Sequence, residues 1–169
     1  MRKIQKAAIA LSAAALLGGG VLASGAPAAA APTADVWYQF QNVATDRNFD
    51  SYKVDVLYAY SPDGTTSQEF RLQSGKLPGY QIVDRRHGKC VTAKGINKNI
   101  ALESCNTNLQ AQYWDFNVND QGSAFQSRKF SHGCIQDNGQ NQPLTLKTCS
   151  RAPAQQYLPL AEGARNARR

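Results

Sequence analysis

The sequence predicts an all-β domain built from three repeats of roughly 40 residues around one shared core, and three observations lead there. Short stretches alternate apolar and polar side chains, as at Val36, Tyr38 and Phe40, the period of a half-buried strand, while no stretch carries a helical period. The segment Gln, any residue, aromatic recurs as Gln68-Glu69-Phe70, Gln112-Tyr113-Trp114 and Gln155-Gln156-Tyr157, at intervals of 44 and 43 residues. Four cysteines fall as two pairs of identical spacing, 15 residues from Cys90 to Cys105 and again from Cys134 to Cys149. One such unit cannot bury its own apolar face; three packed together can.

Taken in order, the chain opens on Arg2, Lys3 and Lys6, then an apolar run from Ala7 to Leu17, then a Gly/Ala/Pro-rich stretch. That is the plan of a secretory signal peptide, residues 1–30, with Ala28 and Ala30 as the small side chains before the cut near Ala30. The apolar run is short of the ~20 residues that span a bilayer, so a membrane anchor is not expected. Residues 31–35 are a short linker. The domain follows over residues 36–161, with repeats at about 36–76, 77–120 and 121–161, and residues 162–169 form a flexible basic tail.

Within the domain the first segment opens on Tyr38-Gln39-Phe40, the second on Tyr80-Gln81-Ile82 and the third on Phe125-Gln126. Ten residues after Tyr38 comes Asn48-Phe49-Asp50, and ten after Tyr80 comes Cys90-Val91-Thr92. The third gives Cys134-Ile135-Gln136, one residue early. A short strand follows in each: Val56 to Tyr60, Ala101 to Cys105, Thr145 to Cys149. Turn-rich stretches such as Ser61-Pro62-Asp63-Gly64 and Asp137-Asn138-Gly139 separate them. Phe70, Trp114 and Tyr157, with Phe116 and Leu160, are the expected core.

Equal spacing inside two similar segments selects the bridges Cys90–Cys105 and Cys134–Cys149 from the three connectivities that four cysteines allow. Each closes a loop of about 15 residues, roughly 3 kcal/mol in the chain-entropy account. A zinc site lacks the close Cys pairs it needs. Disulfides also suit the extracellular setting that a leader peptide implies.

Lys and Arg exceed Asp and Glu by 19 to 12, but the excess sits at the ends. Between residues 35 and 161 there are 13 basic and 11 acidic side chains, so the body is nearly neutral and nucleic acid is not an expected partner. Arg85-Arg86-His87-Gly88-Lys89 is the one basic cluster, read as a solvated turn. His87 and His132 each precede a glycine before a cysteine, which makes them turn residues. No nucleophile elbow, H-E-x-x-H or phosphate loop is present, so the chain is expected to be no enzyme and to need no metal and no cofactor.

Three phased Gln-x-aromatic segments with two equally spaced Cys pairs resemble the ricin B-type lectin domain over about residues 36–160. The resemblance implies a β-trefoil, a six-stranded barrel capped by three hairpins. It also implies where sugar is held: a carboxylate two residues after the first Cys position, an aromatic two before the second, an Asn just before the closing Gln, and that Gln bracing from behind. With Asn48 and Tyr60 standing where the other repeats place Cys, the first repeat supplies Asp50, Tyr58, Ser67 and Gln68. The second supplies Thr92, Glu103, Ala111 and Gln112, and the third Gln136, Lys147, Ala154 and Gln155. Asp137 is one residue off the carboxylate position and turns to the other strand face. Only the first repeat keeps a carboxylate and an aromatic.

The expected function is therefore a secreted, monomeric, carbohydrate-binding protein with one partly retained site in its first repeat, for a galactose-like sugar or a plant or microbial polysaccharide. One shallow site of this kind yields roughly millimolar affinity. The alternative is a non-catalytic protein-interaction or toxin-accessory subunit, or an inhibitor, on the same scaffold. Accessory subunits of cytolethal distending toxins are similar in having eroded sugar positions.

Overall fold

The computed structural model describes residues 36–119 and 121–161; the expected leader, linker and tail lie outside them. The first repeat contributes β1 (Trp37–Asn42), β2 (Asn48–Asp50), β3 (Tyr58–Tyr60) and β4 (Phe70–Ser74). The second contributes β5 (Tyr80–Asp84), β6 (Cys90–Thr92), β7 (Ala101–Glu103) and β8 (Tyr113–Asn119). The third contributes β9 (Gly122–Ser127), β10 (Gly133–Gln136), β11 (Gln142–Pro143), β12 (Thr145–Thr148) and β13 (Tyr157–Ala161).

Six strands close a barrel, each antiparallel to the next: β1 with β4, β4 with β5, β5 with β8, β8 with β9, β9 with β13, and β13 back to β1. Closure leaves the barrel itself without an edge. The hairpins β2–β3, β6–β7 and β10–β12 cap one end. They meet in a ring of backbone hydrogen bonds: Leu57 N–H donates to Ile100 O (3.0 Å), Ile100 to Leu144 (2.9 Å), and Leu144 to Leu57 (2.9 Å). These residues lie 43 and 44 apart, so the ring marks the pseudo-threefold axis of a β-trefoil.

The core fills the barrel and runs beneath the cap. Phe70, Trp114 and Tyr157, the aromatics of the three closing segments, are buried, and Trp114 Nε1 donates to Val91 O at 2.9 Å. Burial pushes the Tyr157 phenol well above its usual pKa, with the negative charge of Asp137 acting in the same direction. Phe116 is partly buried and packs on the core. Leu160, expected inside, is only half-buried. Along β13 the side chains of Tyr157, Pro159 and Ala161 share one face, which Ala161 packs against the core, and the strand period turns Leu160 to the other.

Both disulfides form as the spacing predicts, Cys90–Cys105 and Cys134–Cys149, each with Cα atoms 4.9 Å apart. Strand register corrects two other alignments. Gln41, Val83 and Gln126 hold equivalent places, each paired with the first residue of the following strand or the cysteine within it: Asn48, Cys90 and Cys134. Phe125 therefore matches Phe40 and Ile82, not Tyr38 and Tyr80; the turn before Cys134 is one residue longer than its counterparts.

The second correction concerns the missing bridge. Tyr60 pairs with Asn48 as Glu103 pairs with Cys90 and Lys147 with Cys134. Tyr60 thus stands two residues before the second cysteine position, and Pro62 occupies that position itself. Matching the strand Val56 to Tyr60 with Ala101 to Cys105 falls two residues short. The first-repeat hairpin is itself one residue shorter than the other two, so the cysteine spacing of 15 does not carry over either.

Asp137 faces away from the third-repeat hairpin and fastens it to the first repeat. Its Oδ2 accepts from Arg47 Nε (3.1 Å) and Thr45 Oγ1 (2.5 Å), and its Oδ1 from Gly139 N–H (2.7 Å). The Asp137 side chain is 1% exposed and that of Arg47 21%. Removing one member of such a buried pair leaves the other unpaired. Asp137→Ala is expected to cost about 2–3 kcal/mol, toward the low side because Arg47 retains some water. Urea unfolding measures this, and a loss below about 1 kcal/mol would show that the pair is no fastener.

Candidate functional site

The site region of each repeat is organised by its closing glutamine, held in a short 3-10 turn: Thr66–Gln68, Gln110–Gln112 and Pro153–Gln155. All three side chains are buried and make the same bonds. Gln68 Nε2 donates to Asp50 Oδ2 (2.9 Å) and Ser61 O (2.9 Å). Gln112 Nε2 donates to Thr92 Oγ1 (3.1 Å) and Ser104 O (3.0 Å), and Gln155 Nε2 to Gln136 Oε1 (3.2 Å) and Thr148 O (3.0 Å). On the other side the Oε1 atoms accept from Asp63 N–H, Asn106 N–H and Ser150 N–H. Each glutamine ties together the two strands of its hairpin, and buried amides with every group engaged resist displacement.

Asp50, at the end of β2, is 1% exposed. Besides Gln68, its Oδ1 accepts from Tyr52 N–H at 2.8 Å. Ser67 is buried, its hydroxyl 2.8 Å from Thr65 Oγ1 and its carbonyl accepting from Ser51 N–H (2.8 Å) and Ser51 Oγ (3.0 Å). Asp50, Ser67 and Gln68 thus come together as a braced floor. Tyr58 lies directly across from Asp50 in the β2–β3 pair.

Sequence reasoning missed three further side chains here. Along β3, Ala59 points inward while Tyr58 and Tyr60 are half-buried on the outer face. Tyr52, 36% exposed, sets its ring 5.0 Å from Tyr58 and 5.7 Å from Tyr60, centroid to centroid. Lys53 places its ammonium 4.7 Å from the Tyr58 ring centroid and 5.4 Å from that of Tyr52, and donates to the Tyr58 hydroxyl at 3.3 Å. That hydroxyl holds the lysine pKa above its usual value, with the two phenols adding to the effect. Counting back six residues from Gln68, the interval from Gln155 to Cys149, reaches Pro62 and hence Tyr60. The interval from Gln112 to Cys105 is seven and points one residue earlier, so the signal is good only to within one residue. No comparable sequence signal marks Tyr52 or Lys53.

The other two repeats offer no ring at the places of Tyr58 and Tyr60. The second has Ala101 and Glu103, with Glu103 bound to Lys94 Nζ at 2.8 Å. The third has Thr145 and Lys147, with Lys147 Nζ donating to Asn97 Oδ1 at 3.0 Å. Ala111 and Ala154 leave the expected amide position empty of polar groups.

Shallow hollows lie elsewhere on the surface of the described residues. One, about 520 Å³, lies beside the threefold ring and is lined by Val56, Lys94, Lys98 and Ile100. Another, about 440 Å³, is lined by Asn119, Arg151 and Gln156 beside the Cys134–Cys149 bridge. Neither is lined by Asp50, Tyr58, Ser67 or Gln68. In the basic turn, Arg85 pairs with Glu69 (2.6 Å) and Lys89 with Asp55 (3.1 Å). His87 donates its backbone N–H to Asp84 Oδ1 at 2.7 Å, and the His132 carbonyl accepts from Cys149 N–H at 2.8 Å. Among the described residues no three His, Cys, Asp or Glu side chains gather as a metal site.

Residues 37–157 match the family model for the ricin-type beta-trefoil lectin domain. The chain belongs to this family. No curated protein sequence matches it. Among solved structures, this ricin-type domain is similar to ThreeFoil, a designed 3-fold symmetric protein. The identity is 17% and the TM-score 0.66, with 73% of this chain and 97% of that one covered. It is also similar to the Rhizoctonia solani agglutinin (19% identity, TM-score 0.64, covering 79% and 100%). A third is the Haemophilus ducreyi cytolethal distending toxin (16% identity, TM-score 0.64, covering 85% and 95%). At these identities the likeness establishes the trefoil fold. Among the described residues of the ricin-type domain no helix is long and apolar enough to cross a membrane.

Proposed function

We propose that the protein is a secreted, non-catalytic carbohydrate-binding protein that holds sugar on the outer face of its first repeat. One observation carries the reading: Tyr52, Tyr58 and Tyr60 present a cluster of partly exposed rings beside Asp50 and Gln68, and the other repeats have nothing like it. An aromatic face suits the apolar face of a pyranose. Asp50, Ser67 and Gln68 set the hairpin that carries the rings, and Tyr58 with Tyr60 meets the ligand. The leader over residues 1–30 directs export, the linker 31–35 and tail 162–169 flank the domain, and the two disulfides suit an oxidising compartment. The protein works as a monomer.

The test is residues 31–169, which carry the whole closed barrel, on a mixed glycan and polysaccharide array beside Tyr60→Ala and Asp50→Ala. Retention of one sugar class is expected, weakened about tenfold by Tyr60→Ala, the ratio that ~1.4 kcal/mol of lost contact gives. Retention unchanged in both variants would sink the assignment to this face; the unfolding midpoint of each variant separates a lost contact from a lost fold.

A second reading is favoured by the burial of Asp50. With both oxygens engaged inside the chain, the carboxylate offers little to sugar hydroxyls, which is what an eroded site on a protein-interaction subunit has. An array silent for wild type, with a protein recovered from the producer's secretions by the wild type and not by Tyr60→Ala, would establish it.

A further inference from the structure

The ring faces of the first repeat are not bare. Lys53 Nζ rests over Tyr58 and Tyr52, within the range where an ammonium is attracted to an aromatic face. A sugar that stacks on either ring must meet this cation or move it. A neutral pyranose offers the ammonium only hydroxyl oxygens, without charge. A sugar carrying a carboxylate lets the ammonium stay near the rings while pairing with the ligand.

The charges around Lys53 support the second course. Lys53 is one of several cations that pair with no carboxylate among the described residues, and it is the one set over the rings of this face. The acids near the face are committed elsewhere. Asp50 is buried against Gln68 and Tyr52 N–H, Asp55 holds Lys89, and Asp63 Oδ1 accepts from Thr65 N–H (2.9 Å) and Thr65 Oγ1 (2.7 Å). With the Asp50 carboxylate turned inward, a clamp on neutral hydroxyls is weak here, and beside the phenol hydroxyls the charged group on the face is the Lys53 ammonium.

We propose that the first-repeat face takes an acidic sugar, a hexuronate, with its ring against the tyrosines and its carboxylate on Lys53. The inference rests on the carbohydrate-binding reading of this face and specifies the ligand class. The carboxylate sits at C6, the carbon that bears the hydroxyl in the corresponding hexose, so a matched pair of ligands isolates the charge.

Isotope-labelled protein, residues 31–169, titrated with methyl galacturonoside and with methyl galactoside, reads the backbone amides of Tyr52, Lys53, Tyr58 and Tyr60 by NMR. The uronoside is expected to bind about fivefold more tightly in low salt, the upper range for an exposed ion pair. The advantage disappears at roughly 0.5 M salt, where the screening length falls to a few ångströms. Lys53→Met removes the advantage as well, bringing the two ligands to equal affinity.

Equal affinity for the two ligands at these amides would overturn the acidic-sugar inference and leave the carbohydrate reading standing. So would a uronoside preference that survives Lys53→Met. Shifts at these amides with neither ligand, nor with oligomers of either sugar, would overturn both.

Discussion

Phe125→Ala is expected to lower the unfolding free energy by about 3–5 kcal/mol, the range for truncating a large aromatic in a core that cannot collapse. Phe125 is fully buried and sits among four other rings. Its centroid is 4.3 Å from Phe116 and 4.8 Å from Phe40, both edge-on, 5.2 Å from Phe49 and 5.6 Å from Tyr157. Those rings come from all three repeats, so the cavity opens where the repeats meet. Relaxation around it is resisted by the closed barrel and by the ring of hydrogen bonds through Leu57, Ile100 and Leu144. A domain of this size has only ~5–15 kcal/mol in all, so the variant should unfold at much lower urea. Phe116→Ala, at a partly buried position on the same strand pair, should lose clearly less. A Phe125→Ala loss under about 1.5 kcal/mol would mean that the barrel interior repacks, contrary to the rigidity argued here.

The architecture was legible because its strongest constraints repeat. The closing glutamines recur at nearly constant intervals, since each must reach back to bind both strands of its hairpin. The cysteines share one spacing because both bridges span the same hairpin and turn. What could not be read was register across hairpins whose loops differ in length by one residue. Counting the cysteine spacing forward from Asn48 crosses such a loop and reaches Asp63, one past Pro62. Matching the strand Val56 to Tyr60 with Ala101 to Cys105 stops two short of it, which is how Tyr60 comes to be placed at a cysteine position and Tyr58 at the stacking position. Counting back from Gln68 meets the same ambiguity, since Cys105 and Cys149 lie seven and six residues before their glutamines. It is the pairing of Tyr60 with Asn48 and the bond from Gln68 to the Ser61 carbonyl that fix Pro62. The same difficulty moved Phe125-Gln126 two places. At the site, Asp50 and Gln68 were found by their phase, and the structure brings them within 2.9 Å. Tyr52 and Lys53 were not found, because they lie in the loop that the pattern leaves unconstrained.

Asn48→Cys with Pro62→Cys is expected to form a third disulfide and to raise stability by about 3 kcal/mol, the chain-entropy value for a loop of about 15 residues. The placement follows from the glutamine contacts. Ser61, Ser104 and Thr148 give equivalent carbonyls to the three closing amides, so Pro62 stands with Cys105 and Cys149. Losing the Asn48 amide costs little. Its Nδ2 donates to Gln39 Oε1 (3.2 Å) and Gln68 Oε1 (3.0 Å), but its own Oδ1 and Gln39 Nε2 are buried with no partner among the described residues. In the second repeat, where cysteine replaces asparagine, Gln81 Nε2 donates directly to Gln112 Oε1 at 3.1 Å. Gln39 can make the same bond to Gln68 once Asn48 is gone, and two unsatisfied polar groups disappear together. Against this stands the loss of a loop proline, roughly 0.4–1 kcal/mol through the unfolded state. Mass loss of two hydrogens beyond the native bridges reports the new bond, and urea unfolding of the oxidised protein reports the gain. A bond that fails to close, or closes with a fall in stability, would show that Pro62 does not occupy the cysteine position.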